Sequence, residues 1–326
     1  MQQRRLGQSG LEASVIGIGT WAIGGWMWGG TDEKDAIDAI HAGLDAGCTL
    51  IDTAPVYGLG LSEEIVGRAL QGRRDQVVLA TKCGLVWHTQ KGEHYFDEDG
   101  KPVHRYLGAD SIKYEVEQSL KRLKTDYIDL YQTHWQDAST PIAETMSALL
   151  ELKKEGKIRA IGVSNVNVAE LEQYLAAGQV DSAQEQYHML KRVLEDELLP
   201  VCMKNDISIL AYSPLCLGLL TGKVSPDHEY PEDDLRSTNA RFTRDNRVKV
   251  LKMLEAMKPI ADRYGLTYAQ LVIAWTIAQP GITFALVGAR NPKQAQENAK
   301  AGSVQLETQD LETLNQLVRE HTAAMV

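Results

Sequence analysis

Cysteine is scarce in this sequence and shows no pairing pattern. Cys48, Cys83, Cys202 and Cys216 form no C-x-x-C motif, and none lies at zinc-ligand spacing from a histidine. That argues against a disulfide framework or a zinc motif, and reduced thiols in a cytoplasmic protein are expected. A basic surplus is missing too. The formal net charge is −10, whereas a nucleic-acid binder would be basic. No apolar run is long enough to cross a bilayer. The most apolar stretch, ISILAYSPLCLGLL (207–220), is too short and contains a proline. The opening MQQRRLGQSGLEASV has basic residues but no apolar core, so no signal peptide is expected. Nor does a linker-like break divide the 326 residues. One domain spanning 1–326, with a sizeable core, is the expectation.

What is present is an alternation. Short apolar runs such as SVIGIG (14–19), TLID (49–52), QVVLATK (76–82) and YIDLYQTH (127–134) read as strands. Between them lie amphipathic stretches. In 32–47, Ala36, Ile37, Ile40 and Leu44 recur at helical spacing, Asp32 caps the start and Gly47 ends the helix. The pattern continues through strands at 158–165, 181–187, 207–214 and 282–289, with helices at 193–205, 247–265 and 267–279 among those between them. Eight βα units in a row predict an α/β fold, a (β/α)8 TIM barrel. An N-terminal hairpin within 3–13 would plug its bottom, and two extra C-terminal helices, 292–302 and 308–322, would close the chain. An open doubly wound sheet is the alternative, but the even spacing favours the barrel. Two long polar segments, 82–108 and 220–246, follow strand ends where barrel enzymes place their sites.

Strand ends also carry the titratable groups. Asp52 ends the second strand, Tyr57 follows on its loop, Lys82 ends the third strand and His134 the fourth. In a barrel these ends surround one mouth. A tyrosine with a pKa of about 10 is a poor acid at neutral pH. A nearby cation such as Lys82 is expected to lower that pKa, with Asp52 holding Lys82 in place. His134 can donate to, or orient, the oxygen being protonated. The set is a general acid for carbonyl chemistry, with no nucleophile and no metal cage, so the electrons must come from a cofactor. His88, His94 and His104 are irregularly spaced, and solvated histidines rather than metal ligands are expected. The GIGTWA segment (17–22) matches a dinucleotide fingerprint, but glycine-rich loop follows it where that fingerprint needs a helix.

Taken together, IDTAPVYG, the lysine of LATKCG, DYIDLYQTHW, IRAIGVSN and ILAYSPL resemble the aldo-keto reductases over nearly the whole chain. GTWAIGGWMWGG and GARNP look most like the bacterial general-stress and inositol-linked branch. The resemblance implies a barrel that binds NADP(H) and reduces aldehydes or ketones, acting on a small carbonyl or alcohol substrate. Its catalytic tetrad falls on Asp52, Tyr57, Lys82 and His134. Its cofactor contacts fall on Thr20 and Trp21, then on Ser164, Asn165 and Gln184 for the nicotinamide amide, with Tyr212 stacked on the ring. The pyrophosphate loop falls on Ser213, Leu215, Leu217, Gly218 and Lys223, and the adenosine end on Gly288, Ala289, Arg290, Gln294, Glu297 and Asn298.

The chain departs from the commoner pattern in places, among them EQYHML (185–190) after the sixth strand. Trp135-Gln136 stands where Trp-Pro is frequent, and Arg290 alone remains as a fork for a 2′-phosphate, with Lys293 nearby. Rim tryptophans Trp21, Trp26, Trp28, Trp87 and Trp135 suggest an apolar or aromatic substrate pocket. Some relatives are cofactor-sensing subunits of membrane channels, so a binding subunit with negligible turnover is the alternative reading. No nucleic-acid or membrane partner is expected, and the fold allows a monomer or weak homo-oligomer.

Overall fold

The computed structural model describes residues 1–232 and 234–322. Eight parallel strands close into a barrel in chain order: β1 (Ile16–Gly19), β2 (Leu50–Asp52), β3 (Val78–Cys83), β4 (Ile128–Thr133), β5 (Ile158–Ser164), β6 (Ser182–Gln186), β7 (Ser208–Tyr212) and β8 (Ile282–Gly288). Helices α1 (Glu33–Asp45), α2 (Leu61–Ala69), α3 (Ala109–Leu123), α4 (Ile142–Lys154), α5 (Val168–Ala177) and α6 (Leu198–Lys204) follow the first six strands. Two helices, α7 (Arg244–Arg263) and α8 (Tyr268–Ala278), lie between β7 and β8, and α9 (Pro292–Lys300) and α10 (Thr308–Thr322) close the chain. Local chemistry sets the helix starts. The Asp32 carboxylate accepts from Asp35 N at 2.9 Å, and reciprocal capping boxes open α5 (Asn167 with Glu170) and α8 (Thr267 with Gln270). The expected helix over 193–205 is shorter than its pattern. A single 3-10 turn (Val193–Glu195) precedes α6, which starts two residues before Pro200, where a missing N–H costs nothing.

The core has two shells. The larger lies between strands and helices. The smaller fills the barrel itself, where Leu50, Leu130, Leu210 and Phe284 meet Leu6, Leu11 and Ala13 from the N-terminal hairpin (Gln3–Arg5 paired with Glu12–Ser14). The hairpin therefore closes the barrel at its N-terminal face, and the C-terminal rim stays open.

One expected loop has structure of its own. Within 82–108, strands Leu85–Val86, Glu93–Glu98 and Lys101–Arg105 form a small antiparallel sheet. Asp99 and Gly100 turn it, both left-handed (φ +49° and +72°), which is the backbone of a tight hairpin turn. The DG pair was the signal in the sequence. The other long segment, 220–246, holds turns and short 3-10 helices among its described residues until α7 begins at Arg244.

Candidate active site

Asp52, Tyr57, Lys82 and His134 meet at the open rim. Lys82, fully buried, donates to Asp52 Oδ2 at 2.7 Å, to the Thr53 carbonyl at 2.9 Å and to the Tyr57 hydroxyl at 3.3 Å. Its three protons thus meet three acceptors, which a buried ammonium requires. The other oxygen of Asp52, Oδ1, accepts from Gln184 Nε2 at 2.7 Å and Gln132 Nε2 at 3.2 Å. A strand can end in a buried carboxylate here because three donor contacts surround it. Tyr57 reaches the rim because the loops after β1 and β2 touch at glycines. A Cβ on Gly24 would lie 2.6 Å from the Tyr57 carbonyl carbon. The His134 ring stands edge-on to Tyr57, with centroids 5.7 Å apart and planes at 81°.

The electrostatics correct one expectation. Burial pushes the Tyr57 phenol above its ordinary value and Asp52 adds to the rise, while Lys82 opposes it through charge and a hydrogen bond. The net direction is up, because desolvation of a phenolate outweighs a cation already neutralised by Asp52. Burial also pushes the Lys82 ammonium down, but Asp52 and Tyr57 overcome this and hold it raised. His134 is depressed well below the usual imidazole range by burial, with Lys82 adding to the effect. At neutral pH the rim therefore presents a protonated phenol, a charged lysine beneath it and a neutral imidazole beside it.

A cleft of about 850 Å³ opens over this group. One wall is aromatic: Trp21, Trp26, Trp28, Tyr95, Phe96 and Trp135. Trp26 and Phe96 stack at 4.9 Å, Trp21 and Trp28 meet edge to face at 5.4 Å, and Tyr95 lies 5.6 Å from Trp135. The hairpin within the segment expected to be loop supplies Tyr95 and Phe96. Trp87 packs behind it with Leu85 and Val103.

The other wall gathers the residues expected at a cofactor. Ser164 Oγ donates to the Gln184 carbonyl at 2.7 Å, Asn165 Nδ2 to the His134 carbonyl at 2.9 Å and Tyr212 OH to Asn165 Oδ1 at 2.8 Å. Thr20, Ser213, Leu215, Leu217, Gly218 and Lys223 also line the cleft, as do Gly288, Arg290, Gln294, Glu297 and Asn298. Ala289 is buried and off the wall. At the far end, Arg290 Nη2 donates to the Gly30 carbonyl at 3.2 Å, while Lys223 Nζ lies 3.6 Å from Glu297. Gln132 is a site residue that the sequence did not single out, because it is one of several polar residues in the strand IDLYQT. The three loop histidines do not converge. His94 and His104 meet at 5.5 Å while His88 packs on Tyr114, and no group of three potential metal ligands occurs among the described residues.

A family profile described as the Aldo/keto reductase family matches residues 15–319. The chain belongs to the aldo/keto reductase family. It shares 43% identity over 321 residues with the aldo-keto reductase YhdN of Bacillus subtilis, covering 98% of this chain and 94% of that protein. Identity is also 43%, over 323 residues, with an Escherichia coli protein named NADH-specific methylglyoxal reductase, covering 97% and 98%. Among solved structures, a glycerol dehydrogenase from Gluconobacter oxydans superposes with a TM-score of 0.91 at 37% identity, covering 99% of this chain and 97% of that one. A Klebsiella pneumoniae family member solved with NADP and acetate gives 0.73 at 30% identity, covering 98% and 96%. Membership makes the protein an oxidoreductase of a nicotinamide-binding fold family, and among the described residues no helix is long and apolar enough to cross a membrane.

Proposed function

We propose that the protein reduces aldehydes or ketones to alcohols with NADP(H), Tyr57 acting as the general acid. The observation that carries this is the Tyr57 hydroxyl, 3.3 Å from a fully buried Lys82 ammonium at the floor of the aromatic cleft. The donor set on the opposite wall fits a dinucleotide. Polar Ser164, Asn165 and Gln184 stand beside the aromatic Tyr212, and Gly218, left-handed at φ +91°, leaves open space where a side chain would stand. Arg290 and Lys223 offer positive charge farther along. A bound reduced nicotinamide supplies the hydride.

The chain's own residues do the rest. Tyr57 holds a proton because its phenol is raised, and gives it to the substrate oxygen as negative charge develops there. Lys82 lies close enough to stabilise the phenolate left behind, and Asp52 fixes the ammonium. Neutral His134 can donate its single N–H to the same oxygen. The aromatic wall excludes water and receives an apolar or aromatic carbonyl substrate.

A second reading of the cofactor has its own support. Glu297 places a carboxylate at the end where Arg290 would take a 2′-phosphate, which favours NADH, and the E. coli relative bears an NADH-specific name. All four cysteines are free and buried, which suits a reducing compartment, and we place the reaction in the cytoplasm in a monomer or weak homo-oligomer. The test is NADPH and NADH oxidation against glyceraldehyde, methylglyoxal and 4-nitrobenzaldehyde. Turnover that disappears in Tyr57→Phe supports a reductase. Tight NADPH binding without turnover on any of the three supports a sensor subunit instead.

A further inference from the structure

Main-chain pairing between β4 and β5 reaches Gln132–Gly162 and stops there. On its other edge β5 stays paired with β6 up to Ser164–Gln184. Above Gly162, therefore, no ladder fixes the His134 segment laterally against Ser164 and Asn165. Two side-chain amides cross the gap in opposite senses. Asn165 Nδ2 reaches the His134 carbonyl at 2.9 Å, and Gln136 Nε2 reaches the Ser164 carbonyl at 3.1 Å.

We propose that Gln136 is a positioning residue, which with Asn165 forms a reciprocal clasp that sets the distance between the Tyr57–His134 side of the site and the Ser164–Asn165–Tyr212 side. The proposal rests on the carbonyl-reductase reading above. Gln136 has no freedom to turn away. Its Nε2 also donates to Thr133 Oγ1 at 3.3 Å, and its Oε1 accepts from the Tyr174 hydroxyl at 2.8 Å. A carbonyl can only accept, so the NH2 group must face Ser164, and the oxygen then faces the phenol. Tyr174 is fully buried on α5, and burial raises its pKa far above the ordinary value, so it remains a proton-bearing donor. One half-buried amide thus ties β4 to β5 and to α5. Asn165, left-handed at φ +55°, continues the chain by accepting from Tyr212 OH. Transfer between two walls is steep in distance, and a misplacement of about 1 Å can cost roughly 100-fold.

The experiment compares the parent enzyme with Gln136→Met, which keeps bulk and length but removes the amide. Four readouts are needed: melting temperature, NADPH affinity by tryptophan quenching, kcat and KM for an aldehyde the parent reduces, and the isotope effect with cofactor deuterated at the transferred position. The clasp predicts NADPH affinity within about threefold of the parent, kcat lower by about tenfold or more, and a larger isotope effect on kcat because transfer has become slower. A lowered melting temperature with kcat and isotope effect unchanged would overturn it, since Gln136 would then only hold the fold. Should Gln136→Met fail to fold, Gln136→Asn, one methylene too short to reach Ser164, carries the same expectation and the same refutation. A parent without Tyr57-dependent turnover overturns both readings, whereas a turning-over parent with silent Gln136 variants overturns the clasp alone.

Discussion

Lys82 sits beneath Tyr57 with its ammonium 3.3 Å from the phenol oxygen, and neither Lys82 nor its partner Asp52 opens to water. Removing the phenol alone is the least disruptive cut. Tyr57→Phe keeps the ring, its edge-on contact with His134 and the buried ion pair. Turnover should fall by about 100- to 10,000-fold, the usual worth of a positioned general acid. NADPH affinity should stay within a few-fold. Wild-type kcat in this variant would remove Tyr57 from the role assigned to it.

Cutting beneath the phenol costs more. Lys82→Met leaves Asp52 buried with two amide donors and no cation, a change that destabilises by about 3–5 kcal/mol. The phenol also loses the one group that opposes its raised pKa, so its conjugate base becomes a poorer leaving site for the proton. Both melting temperature and kcat should drop. A folded variant with normal kcat would show that the ammonium matters to stability alone.

The pH dependence of stability has a specific source in Glu98. This residue ends the strand Glu93–Glu98 of the sheet that walls the cleft, is 1% exposed, and neither oxygen meets hydrogen-bond geometry with a described residue. Burial, with Asp99 adding and the nearby Gly58 backbone N–H opposing, pushes its carboxyl up from 4.5 to about 7. A folded-state pKa above the unfolded one means the native state holds more protons between those values. Stability from this group is fully present below about 4.5 and is lost as pH rises through about 7. Glu98→Gln should therefore melt at a higher temperature than the parent at pH 8, and the advantage should vanish at pH 5. An advantage of equal size at both values would point to packing rather than ionisation.

Arg290 and Glu297, at the far end of the cleft, are the groups expected to set cofactor choice. Arg290→Ala should weaken NADPH by roughly 10- to 100-fold if the guanidinium holds a 2′-phosphate, since hydrogen bonds to charged groups contribute about 1.5–3 kcal/mol. NADH affinity should barely move. Glu297→Gln removes like charge and should shift the ratio toward NADPH. If Arg290→Ala weakens both cofactors equally, the 2′-phosphate lies elsewhere and the NADH reading gains ground.

Much of this was legible before any coordinates. Short apolar runs between amphipathic stretches require crossovers, so the barrel and the convergence of Asp52, Lys82 and His134 at its rim follow from chain order. The hairpin plug was legible for the same reason, as Leu6 and Leu11 have no other core to join. What was not legible depends on neighbours distant in sequence. The net direction of the Tyr57 pKa is set by how completely the surrounding loops bury it, which charge patterning does not record. Gln132 and Gln136 look like ordinary polar residues in YQTHWQD, and their partners Asp52, Ser164 and Tyr174 lie 28–80 residues away.

The cleft's aromatic wall gives the last prediction. Phe96 stacks on Trp26 at 4.9 Å with planes 21° apart, and it reaches that position only because Asp99 and Gly100 fold the hairpin back. An aromatic aldehyde entering above Tyr57 would exchange water for this stack, whereas glyceraldehyde has little apolar surface to bury. Phe96→Ala should therefore lower kcat/KM for 4-nitrobenzaldehyde by about 1–3 kcal/mol in transition-state terms, or roughly 5- to 150-fold, and glyceraldehyde by much less. The loss should be shared between KM and kcat, because the ring both binds the substrate and keeps water from the proton donor. Equal losses on both aldehydes would mean that Phe96 shapes the hairpin and not the substrate preference.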